Sequence, residues 1–316
     1  MADRVLVTCP PMLGLIDRFR DRFAERGIEL DAAPVVQTLS EAELIDRLPR
    51  YDGWIAGDDP ANGRTLGAGV QGRLRAVVKW GVGVDNVDFK AAEALGLNVV
   101  NTPQVFGREV ADVAMAYVLG LARETYRIDR EIRLNNAWPK PPGVSTWNKT
   151  AAVVGYGDIG RQTAKRLRAC DMKVIAYDPA FAPFEGVEAE PAQWPERLEE
   201  ADFVVFTCPL NSATRHMFNA SILPRLKPGV RIVNVSRGPV IDETALLEGL
   251  NSGLIHSAAL DVFEDEPLSP DNPLRAFDRC IFGSHNGSNT ADAVERVSHV
   301  AIDKLFALLD AAPPKA

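Results

Sequence analysis

A β-prone run, Thr150-Ala151-Ala152-Val153-Val154, enters Gly155-Tyr156-Gly157-Asp158-Ile159-Gly160. It leaves through a helical pattern (Thr163, Ala164, Leu167, Ala169) toward a second apolar run, Lys173–Tyr177, which ends on Asp178. Few folds accommodate strand, glycine loop, helix and strand in that order. Gly155 permits a tight turn, Gly157 lets a pyrophosphate approach the backbone, and Gly160 lets helix and strand pack closely. The helix start at Asp158 and Ile159 offers free N–H groups and the positive end of the helix dipole. Asp178 lies 18 residues past Gly160. A carboxylate there accepts hydrogen bonds from an adenosine ribose and repels a 2′-phosphate, so the implied cofactor is NAD(H) in preference to NADP(H).

The rest of the chain repeats the alternation. Strand candidates are Val5–Thr8, Trp54–Ala56, Ala76–Lys79 and Asn98–Asn101, then Ala151–Val154, Lys173–Tyr177, Phe203–Phe206, Arg231–Asn234, Ser257–Leu260 and Cys280–Phe282. Most are continuously apolar, as expected for strands buried on both faces of a parallel sheet. Between them the spacing predicts helices at Leu15–Arg26, Glu41–Leu48 (Ser40 and Glu43 forming a capping box), Gly157–Arg168, Glu243–Leu250 and about 291–309. The longest helical pattern is Glu109–Leu134, with an apolar stripe through Val110, Val113, Ala114, Tyr117, Val118 and Leu121. Strand–helix alternation of this kind predicts an α/β protein with doubly wound parallel sheets. The stretch Trp138-Pro139-Lys140-Pro141-Pro142-Gly143 cannot continue a helix, so composition alone divides the chain near residue 140.

Composition narrows the classes of function. The chain has 316 residues, 46% hydrophobic and 25% charged, with net charge −8, which suits a globular protein of about two domains. An acidic chain without a basic run is not a candidate for non-specific nucleic-acid binding, and no apolar stretch is long enough for a membrane span. The cysteines Cys9, Cys170, Cys208 and Cys280 are widely separated and form no CxxC pair. They read as separate buried thiols, with neither a disulfide framework nor a metal site expected. Met1-Ala2-Asp3-Arg4 enters a strand directly, without a secretory h-region, so the expected compartment is the cytoplasm.

Three later segments place ionisable residues just after strands: Arg237 in Asn234-Val235-Ser236-Arg237-Gly238, Glu266 in Asp261-Val262-Phe263-Glu264-Asp265-Glu266-Pro267, and His285 in Gly283-Ser284-His285-Asn286-Gly287. In a parallel sheet these loops share the carboxyl edge, where ligands bind. A guanidinium holds a carboxylate bidentately and polarises a keto oxygen. A histidine donates or accepts the alcohol proton, and a neighbouring carboxylate orients its ring and favours the imidazolium. The constellation suits hydride transfer at a carbonyl.

Taken together, these motifs, with Gly81-Val82-Gly83-Val84-Asp85-Asn86-Val87-Asp88 and Asn101-Thr102-Pro103, resemble those of the NAD-dependent D-2-hydroxyacid dehydrogenases, particularly the D-3-phosphoglycerate dehydrogenase branch in a short form without a C-terminal regulatory domain. The resemblance covers nearly the whole chain. It implies a flavodoxin-like substrate domain formed by residues 1–102 plus 289–316 and a Rossmann NAD-binding domain at 103–288, which moves the composition-based division. It further implies that Arg237 binds the substrate carboxylate, His285 is the acid/base and Glu266 pairs with it. Asp261 would contact the nicotinamide carboxamide, and Cys208 and Pro209 would line the adenosine side of the cleft. Val235 and Ser236 join the cofactor-binding set, while the backbone at Val82 and Gly83 meets the substrate carboxylate. The implied partners are a small 2-hydroxy or 2-keto acid and a second copy of the chain, paired through the long helix. NAD(H)-sensing corepressors on the same scaffold also keep the Arg, Glu and His, so these three do not separate catalysis from sensing. The other alternative is a different dehydrogenase on this scaffold, of the formate or phosphite type, and Glu266 where formate enzymes have Gln disfavours the formate version.

Some positions depart from that pattern. The loop after the third strand reads Ala56-Gly57-Asp58-Asp59-Pro60, with Gly57 where phosphoglycerate enzymes carry a phosphate-binding Arg. Asp58 and Asp59 are expected to repel a phosphate there, with Arg64 nearby. Asn286 stands where many relatives have an apolar residue. Lys79 is either an anion contact or a core-edge residue. His216, His256 and His299 read as structural or solvent-facing, and Glu264 and Asp265 as solvated loop charges. Trp138 reads as a packing residue, the alternative implied by the resemblance being a reach into a partner subunit's cleft.

Overall fold

The computed structural model describes residues 2–312, and the chain forms two compact units, Met1–Phe106 with Asn289–Ala316, and Gly107–Ser288. In the first unit the chain runs β1 (Arg4–Val7), α1 (Pro10–Leu13), α2 (Arg20–Ala24), β2 (Glu29–Ala32), α3 (Glu41–Arg47), β3 (Gly53–Ala56), α4 (Gly63–Gln71), β4 (Ala76–Lys79), α5 (Phe89–Ala94) and β5 (Asn98–Asn101). The second unit continues with α6 (Gly107–Arg123), α7 (Thr125–Asn135), β6 (Thr150–Val154), α8 (Asp158–Ala169), β7 (Lys173–Tyr177), β8 (Glu190–Ala192), β9 (Phe203–Phe206), β10 (Val230–Asn234), α9 (Glu243–Asn251), β11 (Ile255–Leu260) and β12 (Ile281–Phe282). The chain then returns to the first unit as α10 (Ala291–Ala311). Among the described residues no helix is long and apolar enough to cross a membrane.

The first unit is a five-stranded parallel sheet in the order β2-β1-β3-β4-β5. Its central strands are apolar apart from Arg4 and Lys79 at strand ends, because helices cover both faces. Val5, Leu6 and Val7 are fully buried, as are Trp54, Ile55 and Ala56. On one face, α10 lies so close to β3 that a methyl group on Gly53 would meet Leu305 Cδ1 at 3.1 Å. Its outer side is bound to the α2 region by Arg18–Glu295 (2.6 Å), Arg22–Asp303 (2.5 Å) and Arg26–Asp310. The expected helix Leu15–Arg26 is divided in two, a 3₁₀ turn at Ile16–Arg18 followed by α2.

The second unit is a seven-stranded parallel sheet in the order β12-β11-β10-β9-β6-β7-β8. The order reverses between β6 and β9, and in the first unit between β1 and β3. Ligands bind at such switch points, beyond the carboxyl ends of the strands. Phe203, Val204, Val205 and Phe206 of β9 are all fully buried. The long helix Glu109–Leu134 is also two helices. Glu124 takes a left-handed conformation (φ +52°), which ends α6 and starts α7. Helix α6 buries its predicted stripe except Val113, which is partly exposed, whereas α7 buries no residue fully.

Candidate active site

The glycine loop follows β6 at the switch point of the second unit. Gly155 has φ +93°, and a Cβ there would lie 2.6 Å from the Cys208 backbone. A Cβ on Gly160 would collide with the Gly155 carbonyl oxygen. That oxygen already accepts a hydrogen bond from Thr207 Oγ1 at 2.7 Å. Gly157 differs from both, because a Cβ there meets nothing within 4 Å. Two glycines therefore close the turn, and the third leaves open space at the start of α8, beside Asp158 and Ile159. This cradle fits a dinucleotide pyrophosphate.

Asp178, at the end of β7, faces the same turn. Its carboxylate accepts the Tyr156 N–H (2.6 Å) and the Ala180 N–H (2.8 Å). Cys208 serves the turn through its backbone; burial pushes its thiol up to about 12, so it is no nucleophile at neutral pH. Pro209 follows on the exposed side, its carbonyl accepting from Thr214 Oγ1 (2.6 Å).

The three ionisable residues meet at the carboxyl ends of β10, β11 and β12. His285 Nδ1 lies 2.8 Å from Glu266 Oε2, and His285 Nε2 lies 3.4 Å from Arg237 Nη1. The other oxygen of Glu266 accepts the Phe263 N–H at 3.0 Å, which fixes the carboxylate's orientation. His285 adopts φ +56°, a conformation uncommon for a histidine, and its own N–H donates to the Asp261 carbonyl at 2.7 Å. The Arg237 turn is shaped by Asn234. Its Oδ1 accepts from Ser236 N–H (3.0 Å) and Ser236 Oγ (2.7 Å), and its Nδ2 donates to the Arg237 carbonyl (3.0 Å). Val235 and Ser236 are buried in that turn. Asp261 is 3% exposed and accepts the Gly287 N–H at 2.8 Å.

Two participants were not assigned roles from the sequence. Asn234 is legible afterwards, because Asn two residues before Ser at a strand end is an Asx-turn pattern. Tyr117 of α6 donates its hydroxyl to Asp261 Oδ1 at 3.3 Å. Within an apolar helical stripe its phenol reads as core.

Val82 and Gly83 belong to the first unit and follow β4 there. The Val82 carbonyl accepts from Asn101 Nδ2 (3.2 Å), and its side chain is exposed. In the neighbouring loop after β3, Asp59 is turned fully inward. Thr8 Oγ1, the Leu39 N–H and the Gly57 N–H all donate to it, while burial holds its carboxyl above the usual range. Only Asp58 is left at the edge, and it pairs with the buried Lys79 at 3.0 Å. The expectation that both carboxylates face a phosphate is thus corrected for Asp59. Arg64 reaches Glu41 (2.7 Å). Glu264 departs from its reading as a solvated charge, since it contacts His216 Nε2 (2.8 Å) and accepts the Glu243 N–H (3.3 Å). Trp138 is 78% exposed within this chain, which departs from a packing role.

Residues 115–287 match the family model described as D-isomer specific 2-hydroxyacid dehydrogenase, NAD binding domain. The chain is 39% identical to the chloroplastic D-3-phosphoglycerate dehydrogenase 3 of Arabidopsis thaliana over 82% of its own length and 45% of that protein's. It is 37% identical to a hydroxypyruvate reductase of Thermotoga maritima over 74% of its length and 77% of the relative's. The chain therefore spans less than half the plant enzyme and about three quarters of the bacterial one. Among solved structures, a glyoxylate reductase from Paecilomyes thermophila superposes with a TM-score of 0.85 at 25% identity, covering 98% of this chain and 97% of the other.

Proposed function

Because this chain belongs to the D-isomer specific 2-hydroxyacid dehydrogenase family, we propose that it moves a hydride between NAD(H) and C2 of a small 2-hydroxy or 2-keto acid. The observation that carries this reading is the contact line Glu266–His285–Arg237, with both ring nitrogens of His285 engaged. In keto-acid reduction, Arg237 holds the substrate carboxylate and draws charge from the keto oxygen, while His285 delivers a proton from Nε2. Glu266 stabilises the imidazolium and keeps Nδ1 turned away from the substrate. When bound, the nicotinamide supplies or takes up the hydride. Gly155, Gly157, Asp158, Ile159 and Gly160 cradle the pyrophosphate, and Asp178 takes the ribose. Cys208, Pro209, Val235, Ser236 and Asp261 complete the cofactor site. Val82 and Gly83 offer backbone donors to the substrate carboxylate.

In this reading residues 1–102 with 289–316 form the substrate domain and 103–288 the NAD-binding domain. Gly57 in place of an arginine, and Lys79 already paired with Asp58, favour an unphosphorylated substrate. The exposed Leu119, Tyr126, Ile132 and Leu134 of α6 and α7, with Trp138 beyond them, support a homodimer through these helices. Light scattering should give twice the chain mass; a monomer at micromolar concentration refutes it. Four unpaired cysteines support a reducing, cytoplasmic setting.

The deciding experiment is steady-state turnover of NADH with glyoxylate, hydroxypyruvate, 3-phosphohydroxypyruvate, pyruvate and bulkier 2-keto acids. Turnover with at least one supports the reading. NADH binding without turnover of any refutes it in favour of a cofactor-sensing protein.

A further inference from the structure

We infer that Tyr117, on α6, is a positioning residue that sets the geometry of His285 through Asp261. As a role for a residue in the reaction, this rests on the dehydrogenase reading above. The underlying connection lies within the second unit and begins in the helix layer, away from the strand-end loops. The Tyr117 ring is 7% exposed, and its hydroxyl donates to Asp261 Oδ1 at 3.3 Å. The same carboxylate collects the backbone of the loop that carries His285. The Asn286 N–H donates to Oδ1 (3.3 Å) and the Gly287 N–H to Oδ2 (2.8 Å). The Asp261 main chain adds a third tie, its carbonyl accepting the His285 N–H at 2.7 Å. Three successive residues of the loop are thus hung on one aspartate.

Those ties matter because His285 is held at φ +56°, which a histidine leaves readily unless its surroundings over-determine it. Asp261 is almost wholly buried, and a buried carboxylate is stable only while neutral donors or cations satisfy it. Tyr117 supplies one such donor from outside the loop. It does so as a neutral phenol, because burial, and then the charge of Asp261, hold its ionisation well above the ordinary tyrosine value. Gly283 shows that the approach is close. A Cβ there would run into both Asp261 Oδ1 and Tyr117 Oη. A glycine before the acid/base loop is therefore what allows the tyrosine to reach the aspartate.

Removal of the hydroxyl leaves the ring packing in place and loosens one end of Asp261. Tyr117→Phe should lower kcat for keto-acid reduction about tenfold, the scale of one hydrogen bond to a charged group, with KM for the acid within about twofold. Hydrogen exchange followed by mass spectrometry on the free protein should show faster exchange confined to residues 283–287. Gly283→Ala, which pushes the hydroxyl and carboxylate apart, should reproduce both changes, and the double variant should be no worse than either single one. If Tyr117→Phe does not fold, Gly283→Ala alone carries the comparison. Unchanged kcat with unchanged exchange at 283–287 overturns the inference. So does faster exchange spread over the whole second unit, which would mark Tyr117 as ordinary core. If the unsubstituted protein turns over no keto acid, the dehydrogenase reading fails, and with it Tyr117's role in the reaction. The exchange measurement then still decides whether Tyr117 holds the His285 loop.

Discussion

Replacing Asp178 with asparagine should erase most of the discrimination between NADH and NADPH. The carboxylate sits against the glycine loop, 2.6 Å from the Tyr156 nitrogen and 2.8 Å from that of Ala180, so two N–H groups fix its position. A 2′-phosphate at the ribose bound there would come within roughly 5 Å. Two unit charges at that distance repel by about 1–3 kcal/mol for an effective dielectric between about 80 and 20. A phosphate monoester carries about −1.5 to −2, which brings the penalty to about 1–7 kcal/mol, at least roughly an eightfold preference for NADH. Asparagine keeps the shape and one acceptor for the Tyr156 N–H but removes the charge. Dissociation constants for both cofactors, read from nicotinamide fluorescence, should show the preference falling by at least about fivefold, mainly because NADPH binds more tightly. Raising the salt to about 1 M shortens the screening length to about 3 Å, so it should narrow the preference of the unsubstituted protein and leave the variant almost unaffected. If the ratio for Asp178→Asn stays within about threefold of the original, the carboxylate is not what selects the cofactor.

His285→Asn should lower kcat roughly 10²–10⁴-fold while NADH affinity stays nearly constant, measured by turnover and by fluorescence titration. Arg237→Lys should cost chiefly kcat/KM for the acid, because an ammonium cannot reproduce the two-pronged grip of a guanidinium; an unchanged kcat/KM would remove Arg237 from the substrate site. Burial by itself would push the Asp202 carboxyl up, but Lys227 Nζ at 2.8 Å and the Thr150 N–H at 3.0 Å outweigh it and hold it below the usual range. A depressed folded-state value means that this stabilisation is complete above the unfolded value near 4 and is lost as pH falls through the folded one. Asp202→Asn should therefore lower the urea midpoint at pH 7, with the gap from the unsubstituted protein closing below about pH 4.

The doubly wound architecture was legible because its central strands announce themselves. Runs such as Phe203–Phe206 and Ala76–Lys79 are continuously apolar or nearly so, and both are buried on both faces. The two strands that escaped notice are edges. Glu29–Ala32 alternates acidic and apolar residues and is half exposed, and Glu190–Ala192 contains a proline. Only edge positions tolerate such sequences, so their composition hides them. The break at Glu124 carries neither glycine nor proline, and nothing local separates it from continuous helix. Arg237, Glu266 and His285 could be gathered from sequence alone because loops after parallel strands must share one edge. Tyr117 could not, because its contribution depends on which way a helix face turns.

Helix α10 closes the first unit only after the entire second unit has been made. A ribosome releases β1 to β5 long before Leu305 arrives to cover Gly53, or Glu295 and Asp303 reach their arginines. Until then, β3 and β4 lack the helix that covers one of their faces, and that apolar surface is open to other nascent chains. A chain cut just after Ser288 would retain every strand, the whole glycine loop and all three ionisable residues of the candidate site. Its fate would nonetheless be aggregation, because the missing segment covers a core built nearly two hundred residues earlier.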